Sequence, residues 1–267
     1  MTTAFRELRR AALLAMLGLM VLSRAAGAQS APVEGVAIEL RPDKRIYQLG
    51  EPVNLEVRIA NRSSRAVAIP AAADVWVGHV EVFIASRSGD YAQYTGPGWG
   101  LHDVIGGGTR ILEQGQEWTT PAVILYNHGL ETRHLSPPAR ADLRGRLLDS
   151  GFAFRSPGAY RIKARLHGSG FTDVTESDAV EIVVTQPQGI DRTVWNALNS
   201  SPHAAYFLHT GGPKAHPLAA TSLTTVEMLE QLASAYPSSR YAEGIRNRLD
   251  AFERTIERLR DRGLVTQ

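Results

Sequence analysis

Tyr94, Trp99, His102 and Asp103 fall close together in the segment Tyr91–Thr109, among the glycines of Gly96-Pro97-Gly98-Trp99-Gly100 and Gly106-Gly107-Gly108. An aromatic face with polar groups beside it suits a sugar ring or a partner's side chain: the ring supplies apolar area and its neighbours hydrogen-bond. These four residues are the candidate ligand-binding set. A competing role for Trp99 is to fold back over the end of the β-region and bury its own large area. The glycines do not make a phosphate cradle, which needs a preceding strand, a following helix N-terminus and a Lys, Ser or Thr at the phosphate. No helical periodicity follows them, and the next basic residue is Arg110.

His128 and His134, with Glu131 between them, are the nearest approach to a metal-ligand set. Loop histidines at that spacing are ordinarily solvated, and no metal site is assigned. The chain has no cysteine, hence no thiol nucleophile, no lipid-bearing cysteine and no disulfide. No Gly-x-Ser-x-Gly elbow or His-Glu-x-x-His pair occurs, and Ser169 in Gly168-Ser169-Gly170 lacks the elbow's spacing. No catalytic residue and no cofactor follow from these residue types.

The first 28 residues have the zones of a secretory leader: Arg6, Arg9 and Arg10, then the uncharged run Ala11–Leu22, then Ala26-Gly27-Ala28. The run is shorter than the ~20 apolar residues of a membrane span, so cleavage between Ala28 and Gln29 is expected. Membrane contact is expected only through the leader before that cut. The mature chain is then periplasmic or secreted. The formal charge of +2 is carried by the leader, and the remainder is close to neutral with dispersed charge. Nucleic-acid binding, which needs a basic footprint, is disfavoured.

The elements that would position these groups are mostly strands. Apolar residues alternate at Val36, Ile38 and Leu40, again at Val53, Leu55, Val57 and Ile59, and at Tyr160, Ile162, Ala164 and Leu166. Tyr47–Pro52 between the first two runs is expected to be a turn, with Gly50 at positive φ and Pro52 opening the next strand. Ala66–Ile69 is expected to return beside the second strand. His79–Ala85 and Tyr91–Tyr94 flank a hairpin loop, Trp118–Tyr126 is extended, and Ala179–Val184 closes the series. Ala139–Leu148 is a short helix within a long loop. After Gln186-Pro187-Gln188-Gly189 the period becomes helical. Asp191 would cap a helix carrying Val194, Trp195 and Leu198; a second runs from Ser201-Pro202 to Gly211, and a third from Leu223 to Ala235. Ser238 or Ser239 would start a last helix with the stripe Tyr241, Ile245, Leu249, Phe252, Ile256 and Leu259, stopped by Gly263.

The fold class expected is mainly β: an immunoglobulin-like antiparallel β-sandwich over 33–186, then a small helical region over 190–267, the strands being complete without the helices. Tyr47-x-x-Gly50-Glu51-Pro52-Val53 with Asn61-x-Ser63 resembles the opening of bacterial immunoglobulin-like modules, the BsuPI-type proteinase inhibitors among them. Pro157-Gly158-x-Tyr160-x-Ile162 resembles the sixth strand of such sandwiches, which implies that Tyr160 forms a tyrosine corner with nearby backbone. Leu229-x-x-Leu232-Ala233-x-x-Tyr236-Pro237-x-Ser239-x-Tyr241-Ala242 resembles one hairpin of a tetratricopeptide-type repeat, short of the roughly three repeats a stable array needs. The function expected is exported, non-catalytic binding of a protein or envelope polymer. A proteinase inhibitor and a hydrolase of unrecognised type are the alternatives.

Overall fold

The computed structural model describes residues 35–71, 79–96, 108–128, 151–167, 174–201, 203–212 and 220–263. The leader, Trp99, His102, Asp103, Glu131, His134, Ser169 and the segment Ala139–Leu148 lie outside them. The described chain is mainly β with a helical C-terminal region. In order, the strands are β1 Val36–Pro42, β2 Ile46–Gln48, β3 Val53–Asn61, β4 Val67–Pro70, β5 Val80–Ser86, β6 Ala92–Gln93 and β7 Thr109–Leu112. They continue with β8 Glu117–Ile124, β9 Tyr126–Asn127, β10 Gly151–Phe152, β11 Gly158–His167, β12 Val174–Glu176 and β13 Val180–Thr185. The helices are α1 Gly189–Ser200, α2 Ala204–Thr210, α3 Ala220–Ala235 and α4 Arg240–Asp261.

One sheet has the order β1-β3-β8 and a larger one the order β2-β13-β11-β5-β6, with β12 also on β11. The two-residue alternation decides which face is buried. Ile38 lies opposite Ile59 and Leu40 opposite Val57 across β1 and β3, and all four are buried. On β11, Ile162, Ala164 and Leu166 face inward against Ile84, Val82 and Val80 of β5, while Arg161, Lys163 and Arg165 face outward. Burying each aliphatic side chain contributes about 1.5–3 kcal/mol, so this pattern fixes the register: a one-residue slip would turn every inward residue to water.

Two local expectations change. Tyr47 and Gln48, expected within a turn, belong to β2, which pairs in parallel with β13, Tyr47 opposite Val184. Only Leu49 and Gly50 turn, with Gly50 at φ 78°. Tyr47 is buried; its hydroxyl donates to Asp43, whose carboxylate also accepts from Asn54 Nδ2 at 3.0 Å. Partial burial opposes the charge on Asp43, but these two hydrogen bonds hold its carboxyl below the ordinary range. Second, β4 does not return beside β3; it pairs with β7, Val67 opposite Leu112. The buried Asn61 decides this. Its amide donates to the Arg65 and Leu112 carbonyls at 2.7 and 2.9 Å while its oxygen accepts from Ser63 N at 2.9 Å, which turns the chain away.

The helices share the β-region's core. Val194, Trp195 and Leu198 of α1, Phe207 of α2 and Tyr241, Ile245, Leu249 and Phe252 of α4 belong to the same buried cluster as the strands. The Trp195 ring meets Phe152 edge-on at 4.8 Å, and Tyr206 meets Tyr126 at 5.0 Å. The described residues accordingly belong to one compact unit.

Candidate functional site

Of the four residues singled out for ligand binding, Tyr94 alone is described, and it lies in the interior, 4 % exposed. Its hydroxyl donates to the Tyr126 carbonyl at 2.7 Å, and burial pushes its phenol pKa upward. The ring offers no stacking face to solvent. His128 packs edge-on to Tyr126 at 6.3 Å. Among the described residues no group of three or more His, Cys, Asp or Glu could hold a metal. Tyr160 Oη donates to the Ser156 carbonyl at 2.7 Å, at the start of β11.

Gly50 and Pro52 lie instead at a cleft of about 300 Å³ that local sequence did not reveal. One wall is the turn after β2: Gln48, Gly50, Glu51 and Pro52. The facing wall is the first half of α4, where Arg240, Gly244 and Arg248 recur every four residues and so share one helix face, with Asn247 beside them. Val123, Leu125, Leu208 and Ile245 form an apolar floor.

The walls are tied together below the cleft. Tyr241 Oη donates to the Leu49 carbonyl at 2.5 Å, and burial first, with Asp191 and Glu51 second, pushes its phenol pKa upward. Gly50 lies against Trp195: a Cβ there would stand 2.5 Å from the indole. Glu51 is spent on the turn, accepting from Gln48 N at 2.8 Å and pairing with Lys44. Asp191 does not cap its own helix, whose N-cap is Gln188. Its carboxylate accepts from Arg240 N at 2.9 Å and from Ser239 Oγ at 2.8 Å, so it caps α4 from another element. On the buried face of α2, His209 accepts the Tyr126 N–H on Nδ1 at 3.2 Å. Burial first, and the positive charge of Arg248 second, lower its pKa to about 4, so it is neutral at pH 7.

Among the described residues that line the cleft there is no Ser, Thr, Cys or His, and the one carboxylate is engaged in the turn. No nucleophile stands beside a base. A second hollow, of about 320 Å³, has Asp90, Arg155 and Tyr160 at its rim over Ile84 and Phe152.

No family model matches the chain, and no curated protein matches it in sequence. Among solved structures it is similar to a β-glucosidase, EmGH1, from Erythrobacter marinus, at 12 % identity and TM-score 0.30, over 56 % of this chain and 15 % of that one. It is also similar to Spo0M, a sporulation control protein from Bacillus subtilis, at 13 % identity and TM-score 0.32, over 63 % of this chain and 56 % of that one. The alkylpurine DNA glycosylase AlkC from Pseudomonas fluorescens matches at 12 % identity and TM-score 0.30, over 56 % of this chain and 30 % of that one. The chain thus spans less than two thirds of each of these proteins, and likeness at these scores carries no argument about function.

Proposed function

We propose that the mature chain is an exported, non-catalytic binding protein of the periplasm or cell exterior, which holds a protein or envelope polymer. The cleft carries this reading. It joins an apolar floor to a polar rim, its walls come from distant parts of the chain, and it lacks a reactive group among the described residues. The scaffold is read as an immunoglobulin-like sandwich. The sheet orders β1-β3-β8 and β2-β13-β11-β5-β6, the single parallel edge pair β2–β13 and the Tyr160 bond to Ser156 support that reading.

Cell fractionation with N-terminal sequencing tests export: mature chain beginning at Gln29 outside the cytoplasm is expected, and intact cytoplasmic chain would end the reading. Capture from envelope extract on immobilised wild-type protein, with a folded Arg248→Glu variant as control, tests binding. A component retained by the wild type and lost by the variant is expected. Turnover of ester, glycoside or peptide substrates by the purified chain would replace binding with catalysis.

A further inference from the structure

We propose that the cleft takes an acidic peptide segment bearing one large apolar side chain; this deepens the binding function inferred above and rests on it. The argument starts from Gly244. A glycine inside a helix weakens it relative to alanine, through backbone entropy. Packing excuses some glycines: at Gly50 on the opposite wall a Cβ would collide with Trp195. At Gly244 a Cβ would meet nothing within 4 Å. The helix thus carries a weakness that its own packing does not require, in the wall of the cleft. A bare helix surface there lets another backbone approach closely.

The charges on that wall select the sign of the ligand. Arg240 and Arg248 stand one helical turn on either side of Gly244, each about 6 Å along the axis from it. Arg240 reaches its nearest carboxylate, Asp191, only at 3.8 Å, and Arg248 makes no ion pair among the described residues. Glu51, the one acid among the described lining residues, is already paired with Lys44. Two guanidiniums therefore face the cleft with little local compensation, and guanidinium pairs best with carboxylate.

The remaining groups favour a peptide over a lipid. Gln48 and Asn247 put one carboxamide on each wall. A carboxamide both donates and accepts, as a peptide bond does, whereas an acyl chain would leave both without a use. Leu125, Leu208 and Ile245 give the floor for one aliphatic or aromatic side chain, and about 300 Å³ is the lower end of the size of ligand sites.

The test is fluorescence anisotropy on the mature chain with labelled nonapeptide pools, their centre Leu or Phe and their flanks Asp and Glu in a Gly/Ser background. Control pools carry Lys for Asp and Glu, or Ser at the centre. The acidic apolar pool should bind, more weakly as salt rises, and both control pools should bind at least tenfold less. Arg248→Gln should weaken binding about tenfold. Gly244→Leu, which fills open space on an exposed helix face, should abolish binding with the thermal midpoint unchanged or higher. Equal binding of the Lys pool, binding by a folded Gly244→Leu chain, or failure of every pool would overturn the inference. Dodecanoate binding where peptides do not would overturn it in favour of an acyl ligand. If Gly244→Leu still captures the envelope component that the wild type captures, the cleft inference fails while the binding function stands.

Discussion

Replacing His209 by asparagine should make the protein less sensitive to acid. Asparagine keeps an acceptor oxygen near the place of Nδ1, so the Tyr126 N–H at 3.2 Å keeps a partner while the titrating group is removed. The sign follows from the burial. The folded-state pKa lies near 4, against the ordinary 6.5 that the unfolded chain recovers. Between those values the unfolded state binds more protons, so stability is full above about pH 6.5 and falls as the pH drops toward 4. At 1.36 kcal/mol for each pH unit, the loss by pH 5 is about 2 kcal/mol, approaching roughly 3 kcal/mol near pH 4. Urea denaturation at pH 7.5 and 5.0 measures it. The wild type should lose about 2 kcal/mol more than the asparagine variant over that interval. Equal losses would mean that His209 is not held neutral on the buried face of α2, and the account of how that helix docks would fall with it.

Three further outcomes follow from the packing. Gly50→Ala forces a side chain onto a residue at φ 78° and into the Trp195 ring at 2.5 Å; it should destabilise by more than about 2 kcal/mol in denaturant, and a loss below 0.5 would contradict the close contact. Truncation after Gln188 should give insoluble or molten protein, because Trp195, Phe207 and Tyr241 leave the shared core; a soluble fragment with a cooperative thermal transition would show a self-sufficient β-region. Tyr160→Phe removes the 2.7 Å bond to Ser156, which is partly open to solvent, and should cost about 0.5–1 kcal/mol; no measurable change would make that bond energetically idle.

Elements whose side chains obey one period over many residues were legible in the sequence. β3 alternates over Val53–Ile59 and β11 over Tyr160–Leu166, and the α4 stripe Tyr241, Ile245, Leu249 and Phe252 is buried. Ser239 caps α4, and its side chain accepts the Tyr241 N–H. Partners distant in sequence were illegible. β2 has only three residues, too few to show a period, and its partner β13 begins more than 130 residues later. Asp191 has the residue type of an N-cap and sits near a helix start, which is why it reads locally as the cap of α1; the N–H it accepts from, that of Arg240, is 49 residues away. Tyr94 lies in a polar, glycine-rich context that suggests exposure, yet a phenol can be buried whole when its hydroxyl finds a carbonyl, as it does at Tyr126. The cleft escaped notice for the same reason: each of its residues is ordinary alone, and only Gly244, costly in a helix and unexplained by packing, left a trace that could have been followed.

The parallel pairing of β2 with β13 constrains the order in which the chain can become native. Thr185 donates from Oγ1 to the Tyr47 carbonyl and Leu49 N–H bonds the Thr185 carbonyl, so the stretch before Gly50 finds its hydrogen-bonding partners near the end of the β-region. Trp195, which seats that glycine, comes ten residues later still. A polypeptide emerging N-terminus first would present β1 and β3 early, with their neighbour at 46–50 unanchored until residue 195 had followed. Native closure is thereby deferred until most of the molecule has been released.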